Sequence, residues 1–244
     1  MSSTDSLASA VKDAHTVFLV TNFWETMSQD TEIAQGKAVT DASKAAGVKH
    51  IVASTLINVT EASKGKLTHL LHFDGKQKIE EYIRQSGVPS TFVLPGFFMS
   101  NFFDMIRKNE DGSYALAWPV SGDKAQIPVF DAAQDTGSFV KPALTQDAPS
   151  GKQILAATNY LSPNQVIAEF AEVTGKPANY AQIPGDLFKS FLPPAIAEEL
   201  YENMLLLEEP GYYAGADLAE SLALLDSKPT TWKAFVEANK QKWL

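Results

Sequence analysis

Cysteine is absent from this chain of 244 residues. Its absence excludes disulfide bonds, thiolate nucleophiles and cysteine–metal sites, and it fits a reducing compartment. Long hydrophobic runs are missing as well. No stretch reaches the ~18 apolar residues of a membrane-spanning helix, and residues 1–16 lack the apolar centre of a secretion signal. We therefore expect the protein in the cytoplasm, the nucleus or both.

Basic side chains are outnumbered by acidic ones. The sequence holds 20 Lys and Arg against 29 Asp and Glu, a formal net charge of −9, and the basic residues form no cluster. Nucleic-acid binding depends on basic patches, so direct contact with DNA or RNA is not expected, whereas a regulatory protein partner remains open. His15, His50 and His69 have no ligand-like spacing with carboxylates, so no metal site is expected.

Strands and helices alternate in the first part of the chain. Three apolar runs are typical of strands buried on both faces: Thr16–Val20, His50–Ser54 and Ser90–Leu94. A helix is predicted over Asp30–Ala46, and a second one begins at the motif His72-Phe73-Asp74-Gly75-Lys76. The inner face of the first helix is assigned to small residues: Ala34, Ala38, Ala42 and Ala45. This order predicts an α/β fold with a parallel sheet and right-handed crossovers.

The second part of the chain has mixed periodicity and predicts a smaller α+β region. Two segments are predicted as further strands: Tyr114–Trp118 and Ala178–Gln182. Lys152–Ala156 is expected to return to the main sheet. Asp135 is interpreted as a helix cap, and Ser162-Pro163 opens a helix in the favoured order of cap and proline.

Candidate binding residues follow the strands of the main sheet. Ligands of parallel α/β sheets bind beyond the carboxyl ends of the strands. The segments at those ends are Thr21-Asn22-Phe23, Ser54 and Phe97-Phe98-Met99-Ser100. The phenylalanines have a second interpretation as ordinary core residues. We expect the three segments to converge on one crevice beside Lys76.

The spacing of His72 and Lys76 places both side chains on one helical face. Gly75 costs such a helix up to about 1 kcal/mol relative to alanine, which is better tolerated where something packs closely on the backbone. A solvated lysine at a helix start is the simpler alternative for Lys76. Glu32 is interpreted as a charge favoured by the helix dipole, and Glu80 as part of a solvated helix face.

Four motifs occur in one order along the chain: Val17–Glu25, Gln35-Gly36-Lys37, His72–Lys76 and Gly87-Val88-Pro89. This series resembles the NmrA-like family, atypical members of the short-chain dehydrogenase/reductase superfamily. The resemblance implies a Rossmann-like NAD(P)-binding region over residues 1–112 and a smaller substrate or partner region over 113–244, with about 151–158 in the main sheet. NADP is the implied cofactor. Its implied binding residues are Lys76 and the strand-end segments named above.

Two departures from the family pattern stand out. The Gly-rich turn that holds the pyrophosphate is not found before Thr16, so the Rossmann-like region is expected to be N-terminally incomplete and NADP binding by this chain weak. Active relatives in the superfamily use Tyr-x-x-x-Lys, and His72 takes the tyrosine position. No catalytic residue is therefore assigned, with Lys76 and His72 as weak candidates.

Three functions remain open. The resemblance favours an NAD(P)-sensing regulator of transcription that acts through a protein contact. The alternatives are an NAD(P)H-dependent oxidoreductase of the isoflavone-reductase type and a cofactor-free interaction module. We also expect Thr16–Val20 to form an uncovered hydrophobic edge through which the chain self-associates.

Overall fold

The computed structural model describes residues 3–145 and 149–244, and it has an α/β fold. Its strands are β1 (Thr16–Leu19), β2 (His50–Ser54), β3 (Ser90–Pro95), β4 (Phe97–Phe98), β5 (Arg107–Lys108), β6 (Tyr114–Trp118), β7 (Ile127–Phe130), β8 (Gln153–Ala156), β9 (Asn159–Leu161) and β10 (Ala178–Gln182). Its helices are α1 (Thr4–Ala10), α2 (Gln29–Ala45), α3 (Val59–Ala62), α4 (Leu71–Ser86), α5 (Phe102–Met105), α6 (Ala132–Leu144), α7 (Pro163–Thr174), α8 (Gly185–Ser190), α9 (Ala197–Leu205), α10 (Ala219–Leu222) and α11 (Trp232–Asn239). None of the helices within these ranges combines the length and the apolar character needed to cross a bilayer.

The first of two compact units comprises the chain up to Pro95 together with Gly137–Ala156 and Ala223–Asp226. Its centre is a parallel sheet in the order β1-β2-β3-β8. The Rossmann-like parallel sheet is thereby confirmed, and the segment after Lys152 pairs with β3 as predicted. The main-sheet strands β2 and β3 are buried along most of their length. The expected burial of β1 on both faces is wrong: Phe18 is 43% exposed, because β1 lies at the end of the sheet.

Helices α2 and α4 pack on each other in this first unit. The buried face of α2 consists of Glu32, Gly36, Val39, Thr40 and Ser43. The predicted inner face of alanines is therefore wrong, and three of these alanines (Ala38, Ala42 and Ala45) line a groove of about 660 Å³ beside α1. The reason is the close approach of α4: a Cβ on Gly36 would lie 2.6 Å from side-chain atoms of Ile79. Only glycine leaves room for that contact.

The second unit comprises Gly96–Thr136, Ala157–Leu222 and Ser227–Leu244. It contains two small sheets, in the orders β10-β6-β5 and β4-β7-β9. Helix α7 begins with a complete capping box, in which Ser162 and Gln165 each bond the backbone of the other. The indole of Trp232 donates to the Val166 carbonyl of α7 at 2.9 Å, which ties α11 to that helix.

The helix α6 is capped by a residue other than the predicted one. Asp131 accepts from the backbone N–H groups of Ala133 and Gln134, which are the donors left free at a helix start. Asp135 instead lies one turn inside the helix and accepts from the N–H and hydroxyl of Thr230. Burial raises the pKa of Asp135 above its ordinary value. The prediction of Asp135 as the cap is thus wrong by one helical turn.

Candidate functional site

Lys76 is held by three acceptors within the first unit. Its Nζ lies 2.9 Å from the Thr21 carbonyl oxygen, 2.9 Å from Thr21 Oγ1 and 2.9 Å from Glu32 Oε1. Since an ammonium group has three N–H donors, these contacts occupy all of them. The side chain of Lys76 is only 12% exposed. The simple interpretation of a solvated lysine is therefore wrong.

Glu32 is the counter-charge of Lys76 and is itself fully buried, with 0% of its side chain exposed. Its Oε1 also accepts from the Thr21 hydroxyl at 2.8 Å. The other oxygen, Oε2, is buried and has no hydrogen-bond partner among the described residues. Glu32 is thus more than a dipole-favoured charge at a helix start. A buried pair of this kind is strongly destabilised when one member is removed, because the other is left uncompensated.

Gly75 explains how this ion pair fits between two helices. A Cβ on Gly75 would lie 3.1 Å from Gln29 Cγ and 3.2 Å from Glu32 Oε2. The absence of a side chain lets the α4 backbone approach α2 at the height of the carboxylate. Gln29 adds a tie of its own, because its Nε2 donates to the Leu71 carbonyl at 3.2 Å. The glycine of the motif therefore serves a close backbone approach, as its position in a helix suggests.

Asp74 fastens the segment before α4 to the helix. Its Oδ1 accepts from the Val59 N–H at 2.7 Å, and its Oδ2 accepts from the Thr60 hydroxyl at 2.5 Å. Both donors belong to the start of the short helix α3, so the carboxylate serves as an added cap for its free N–H groups. Asp74 thus supports the motif from the side facing α3.

His72 lies among aromatic rings at the start of α4. Its ring centroid is 5.0 Å from Trp24, 4.8 Å from Phe73 and 5.9 Å from Phe23. Phe23 is 2% exposed and Phe73 is 1% exposed, so both are core residues, whereas Trp24 is 44% exposed. The ring of His72 therefore packs near two core aromatic rings and one exposed indole.

The other predicted residues of the first unit follow β1 or end β2. Thr21 follows β1 directly and binds Lys76 through its carbonyl and hydroxyl oxygens. Asn22 is exposed, and its Oδ1 accepts from the Trp24 N–H at 3.2 Å, which caps the 3-10 turn Phe23–Glu25. Ser54 ends β2 next to the end of β1, because Ala53 pairs with Leu19. Cofactor binding by these residues stays a prediction.

The remaining predicted residues belong to the second unit. Phe97 is 4% exposed and packs on Phe102 and Trp118, with ring centroids 5.4 and 5.7 Å away. Met99 is fully buried. Phe98 is 39% exposed and its ring lies 6.0 Å from that of Phe130, while Ser100 is exposed. Within this unit, Phe98 and Ser100 are thus the members of the predicted set that face outward, and a binding role for all four stays a prediction.

Glu80, interpreted from the sequence as solvated, is a buried hub one turn beyond Lys76. Its Oε1 accepts from Arg84 Nη2 at 2.7 Å and from Gln153 Nε2 at 2.9 Å, and its Oε2 accepts from the Thr55 hydroxyl at 2.7 Å. The solvated interpretation is wrong, because these donors come from α4, from β8 and from the end of β2. Glu80 and Glu32 are the two acids that sequence reasoning missed. The signal for Glu32 was its position four residues before Gly36, on the close-packed face of α2.

The chain matches known proteins over nearly all of its length. Residues 1–236 match the model of the NmrA-like family. The chain belongs to the NmrA-like family. It is 32% identical over 200 residues to the NmrA-like family domain-containing oxidoreductase ptmS of Penicillium ochrochloron, over 75% of this chain and 59% of that protein. It is equally 32% identical over 200 residues to the nitrogen metabolite repression protein nmrA of Emericella nidulans, over 77% of this chain and 54% of that protein.

Solved structures of the NmrA-like family have the same fold. The crystal structure of NmrA, a negative transcriptional regulator, in complex with NADP matches with a TM-score of 0.82 at 24% identity, over 97% of this chain and 77% of that chain. The family and fold interpretations are confirmed by these matches. The chain spans just over half the length of the two curated relatives, which are named as an oxidoreductase and as a regulator.

Proposed function

We propose that this NmrA-like protein is an NADP-responsive regulator that acts in the cytoplasm or nucleus through contact with a protein partner, without turning the nucleotide over. The observation that carries the proposal is the Lys76 site. There Glu32 and Thr21 hold the ammonium group, and the residue four positions earlier is His72. This arrangement has the means to bind a nucleotide and no evident proton donor for its reduction chemistry.

The Lys76 site supports binding of the nicotinamide ribose. Lys76 would have an N–H donor for a ligand once it releases one of its contacts with Thr21. The buried Oε2 of Glu32 is an acceptor with no partner in the described part of the chain. Ribose hydroxyls need both a donor and an acceptor, so the residues present fit this end of the nucleotide. Glu32 would keep the lysine charged and oriented, and Thr21 would exchange one of its contacts for a ligand hydroxyl. The bound nucleotide would occupy the site without transferring a hydride.

The position of His72 supports the absence of turnover. The resemblance to the superfamily places a proton-donating tyrosine there, and an imidazole has a shorter reach than a phenol. The imidazole of His72 lies close to the rings of Phe73 and Trp24, an arrangement that fits packing. Reduction by an oxidoreductase of this family would require another proton donor at the substrate.

The pyrophosphate end of the nucleotide has no fitting residues in this sequence. Dinucleotide phosphates are held by backbone N–H groups of a Gly-rich turn at a helix start, and none of the glycines in these 244 residues forms that pattern. We therefore expect this chain by itself to bind NADP weakly through its Lys76 site.

The test compares two proteins in NADP and NADPH titrations: the 244-residue chain, and the same chain extended at its N-terminus with a strand, a Gly-rich turn and a helix of the dinucleotide-binding type. We expect the extended protein to bind and to be stabilised by about 2.7 kcal/mol at 100 times its Kd. NADPH should not be consumed in the presence of quinone or azo acceptors. Turnover would establish the reductase, and no binding by either protein would establish the cofactor-free module.

Variants of the extended protein locate the binding site. Lys76→Ala should weaken NADP binding far more than His72→Phe, because the lysine donates to the ligand and the histidine packs. Lys78→Ala is the matched control, since this exposed lysine donates to Gln29 and lies on another face of α4. Equal losses from Lys76→Ala and Lys78→Ala would mean that the Lys76 site is not where the nucleotide binds.

A further inference from the structure

Helix α8 presents an apolar patch in the second unit. Leu187 and its C-terminal cap residue Phe191 are four positions apart, a spacing that places both side chains on one helical face. They are 44% and 66% exposed, and 66% is the largest exposed fraction among the large apolar side chains that the structure describes. Pro193 and Pro194 follow in the sequence and are exposed as well. Single exposed apolar residues are common, whereas a group of four is typical of interaction sites. These four residues are called the α8 patch below.

Contacts with α9 hold the α8 patch in place. A Cβ on Gly185 would lie 2.6 Å from the ring of Tyr201, so the start of α8 lies in close contact with α9. Lys189 Nζ lies 3.1 Å from Glu198 Oε2 and 5.0 Å from the centroid of the Tyr201 ring. These contacts fix α8 on α9 while the α8 patch stays exposed. A partner therefore meets a surface that needs little ordering on binding.

The negative charge of the protein is concentrated in the part of the chain that carries the α8 patch. Residues 177–222 all belong to the second unit and contain eight acidic side chains and one basic one, so they account for −7 of the net charge of −9. Asp186 on α8 has a fully exposed side chain, and Glu198 on α9 is 47% exposed. The one basic residue, Lys189, is paired with both of these carboxylates. The segment therefore attracts cations and has no unpaired basic side chain that would repel them.

We propose that the α8 patch is the docking surface for the protein partner of this regulator, and that it binds a segment with apolar anchors flanked by lysine or arginine side chains. The anchors pack on Leu187 and Phe191, and the basic side chains face Asp186 and Glu198. The inference rests on the proposed function for the existence of a partner, and it adds the surface and the chemistry of that partner.

The local charge favours this occupant over the alternatives. A second copy of the chain would bring two segments with a charge of −7 together, which is repulsive. The negative surface potential of a cytoplasmic membrane would repel the same segment, as would the phosphates of a nucleic acid. A basic protein segment is the occupant for which both the apolar contact and the charge are favourable.

Binding of designed peptides to the 244-residue chain tests the proposal. The probe is a dye-labelled helical peptide of about 15 residues, with leucines at the spacing i, i+3, i+4 and i+7 and lysines elsewhere. Two matched peptides carry glutamate in place of lysine, or serine in place of leucine. Fluorescence anisotropy should show binding of the leucine–lysine peptide, at least about tenfold weaker after either change and weaker in added salt. No binding by this peptide, or equal binding by the leucine–glutamate peptide, would overturn the proposal.

Substitutions of exposed apolar residues locate the bound peptide. Phe191→Ser should raise the peptide dissociation constant about tenfold or more, and Phe191→Leu should keep most of the affinity because the side chain stays apolar. Leu144→Ser is the matched control, since Leu144 is 52% exposed in the first unit. Equal effects of Phe191→Ser and Leu144→Ser on the dissociation constant would show that the α8 patch is not the docking surface.

A charge substitution separates local attraction from the net charge of the chain. Asp186→Asn should weaken peptide binding and reduce its salt dependence. Glu81→Gln removes the same charge from an exposed position of α4 in the first unit and should change neither. Identical effects of the two variants would mean that only the net charge attracts the peptide, and the proposed site would be wrong.

The N-terminally extended protein separates this inference from the proposed function. It should bind the leucine–lysine peptide with an unchanged dissociation constant, because the contacts that hold the α8 patch are made within the second unit. Loss of peptide binding there would mean that the added segment covers the patch, and the inference would fall. NADP binding without peptide binding would overturn the docking surface alone. Peptide binding without NADP binding would uphold the docking surface and overturn the response to the nucleotide.

Discussion

The two units have differently composed interiors. In the first, the helices and the sheet are tied by buried charged groups, including the pair of Glu32 with Lys76 and the hub at Glu80. The second unit also buries the carboxylates of Asp131 and Asp135, but its interior contains a large cluster of aromatic rings: Phe102, Tyr114, Trp118, Phe170, Trp232, Phe235 and Trp243. Rings fill volume and tolerate neutral neighbours, whereas buried charges must be kept or removed in pairs. The stability of the first unit should therefore fall most when one member of a buried ion pair is removed. The stability of the second unit should fall most when a buried ring is truncated.

The largest effect is expected from truncating an indole in the second unit. Trp232 is 1% exposed, stacks on Phe235 at 5.7 Å and donates to the Val166 carbonyl. Trp232→Ala should lower the free energy of unfolding by about 3–5 kcal/mol in urea titrations. Trp24→Ala is the control in the first unit, where 44% of the side chain is exposed, and it should cost much less. Similar losses of unfolding free energy in the two variants would contradict the importance of buried ring volume in the second unit.

The second largest loss of stability is expected when a buried charge loses its partner. Glu32→Ala leaves the ammonium of Lys76 without its counter-charge and should cost about 3 kcal/mol. The double variant Glu32→Met with Lys76→Met should recover most of this loss, because two apolar side chains of similar size replace both charges. Urea titrations of the single variants Glu32→Met and Lys76→Met and of the double variant complete a thermodynamic cycle. Additive losses would mean that the two groups do not stabilise each other.

The close contact of α2 with α4 should be sensitive to a single methyl group. Gly36→Ala forces a Cβ to within 2.6 Å of Ile79 and should cost about 1–3 kcal/mol. Gly137→Ala in α6 is the matched control, since a Cβ there meets no atom within 4 Å. That change should stabilise the protein by up to about 1 kcal/mol through helix propensity. Thermal melts that rank the two variants in the opposite order would contradict the contact.

The smallest effect is a pH dependence at His50. Burial lowers the pKa of His50, and the neighbouring His15 lowers it further. The folded state therefore favours the neutral imidazole, and its stabilisation is present above the unfolded pKa of about 6.5 and is lost as the pH falls through the lowered pKa. The free energy of unfolding should fall as the pH drops below about 6.5. His50→Gln should flatten the profile there, and a profile that keeps its slope in this variant would contradict His50 as its cause.

Local signals in the sequence were sufficient for most of the fold. The apolar runs of β2 and β3 identify buried parallel strands, and Ser162-Pro163 marks the start of α7, because each signal lies within a few residues. The cap of α6 was misplaced since Asp131 and Asp135 are equally good caps in sequence and only the backbone distinguishes them. The exposure of β1 follows from strand order, which no property of its own residues determines.

Within the candidate site, Lys76 was predicted from the sequence, and its partner Glu32 was not. Lys76 was found because the motif places it on the same face as His72 and beside the strand ends. Glu32 lies 44 positions away in sequence, and its burial depends on how closely α2 approaches α4. Gly36 and Gly75 together encode that approach, since both lack the Cβ that would hold the helices apart. Two glycines on facing helices were the available signal for a buried acid.

The order of segments along the chain has a consequence for biosynthesis. The fourth strand of the main sheet, β8, and its contact with Glu80 through Gln153 come after Gly96–Thr136, which belongs to the other unit. A ribosome therefore releases the start of the second unit before the first can complete its sheet. Until Ala156 has emerged, β3 is an open edge and Glu80 lacks one of its donors. Neither unit can be completed co-translationally as an uninterrupted stretch, and no single proteolytic cut separates one from the other.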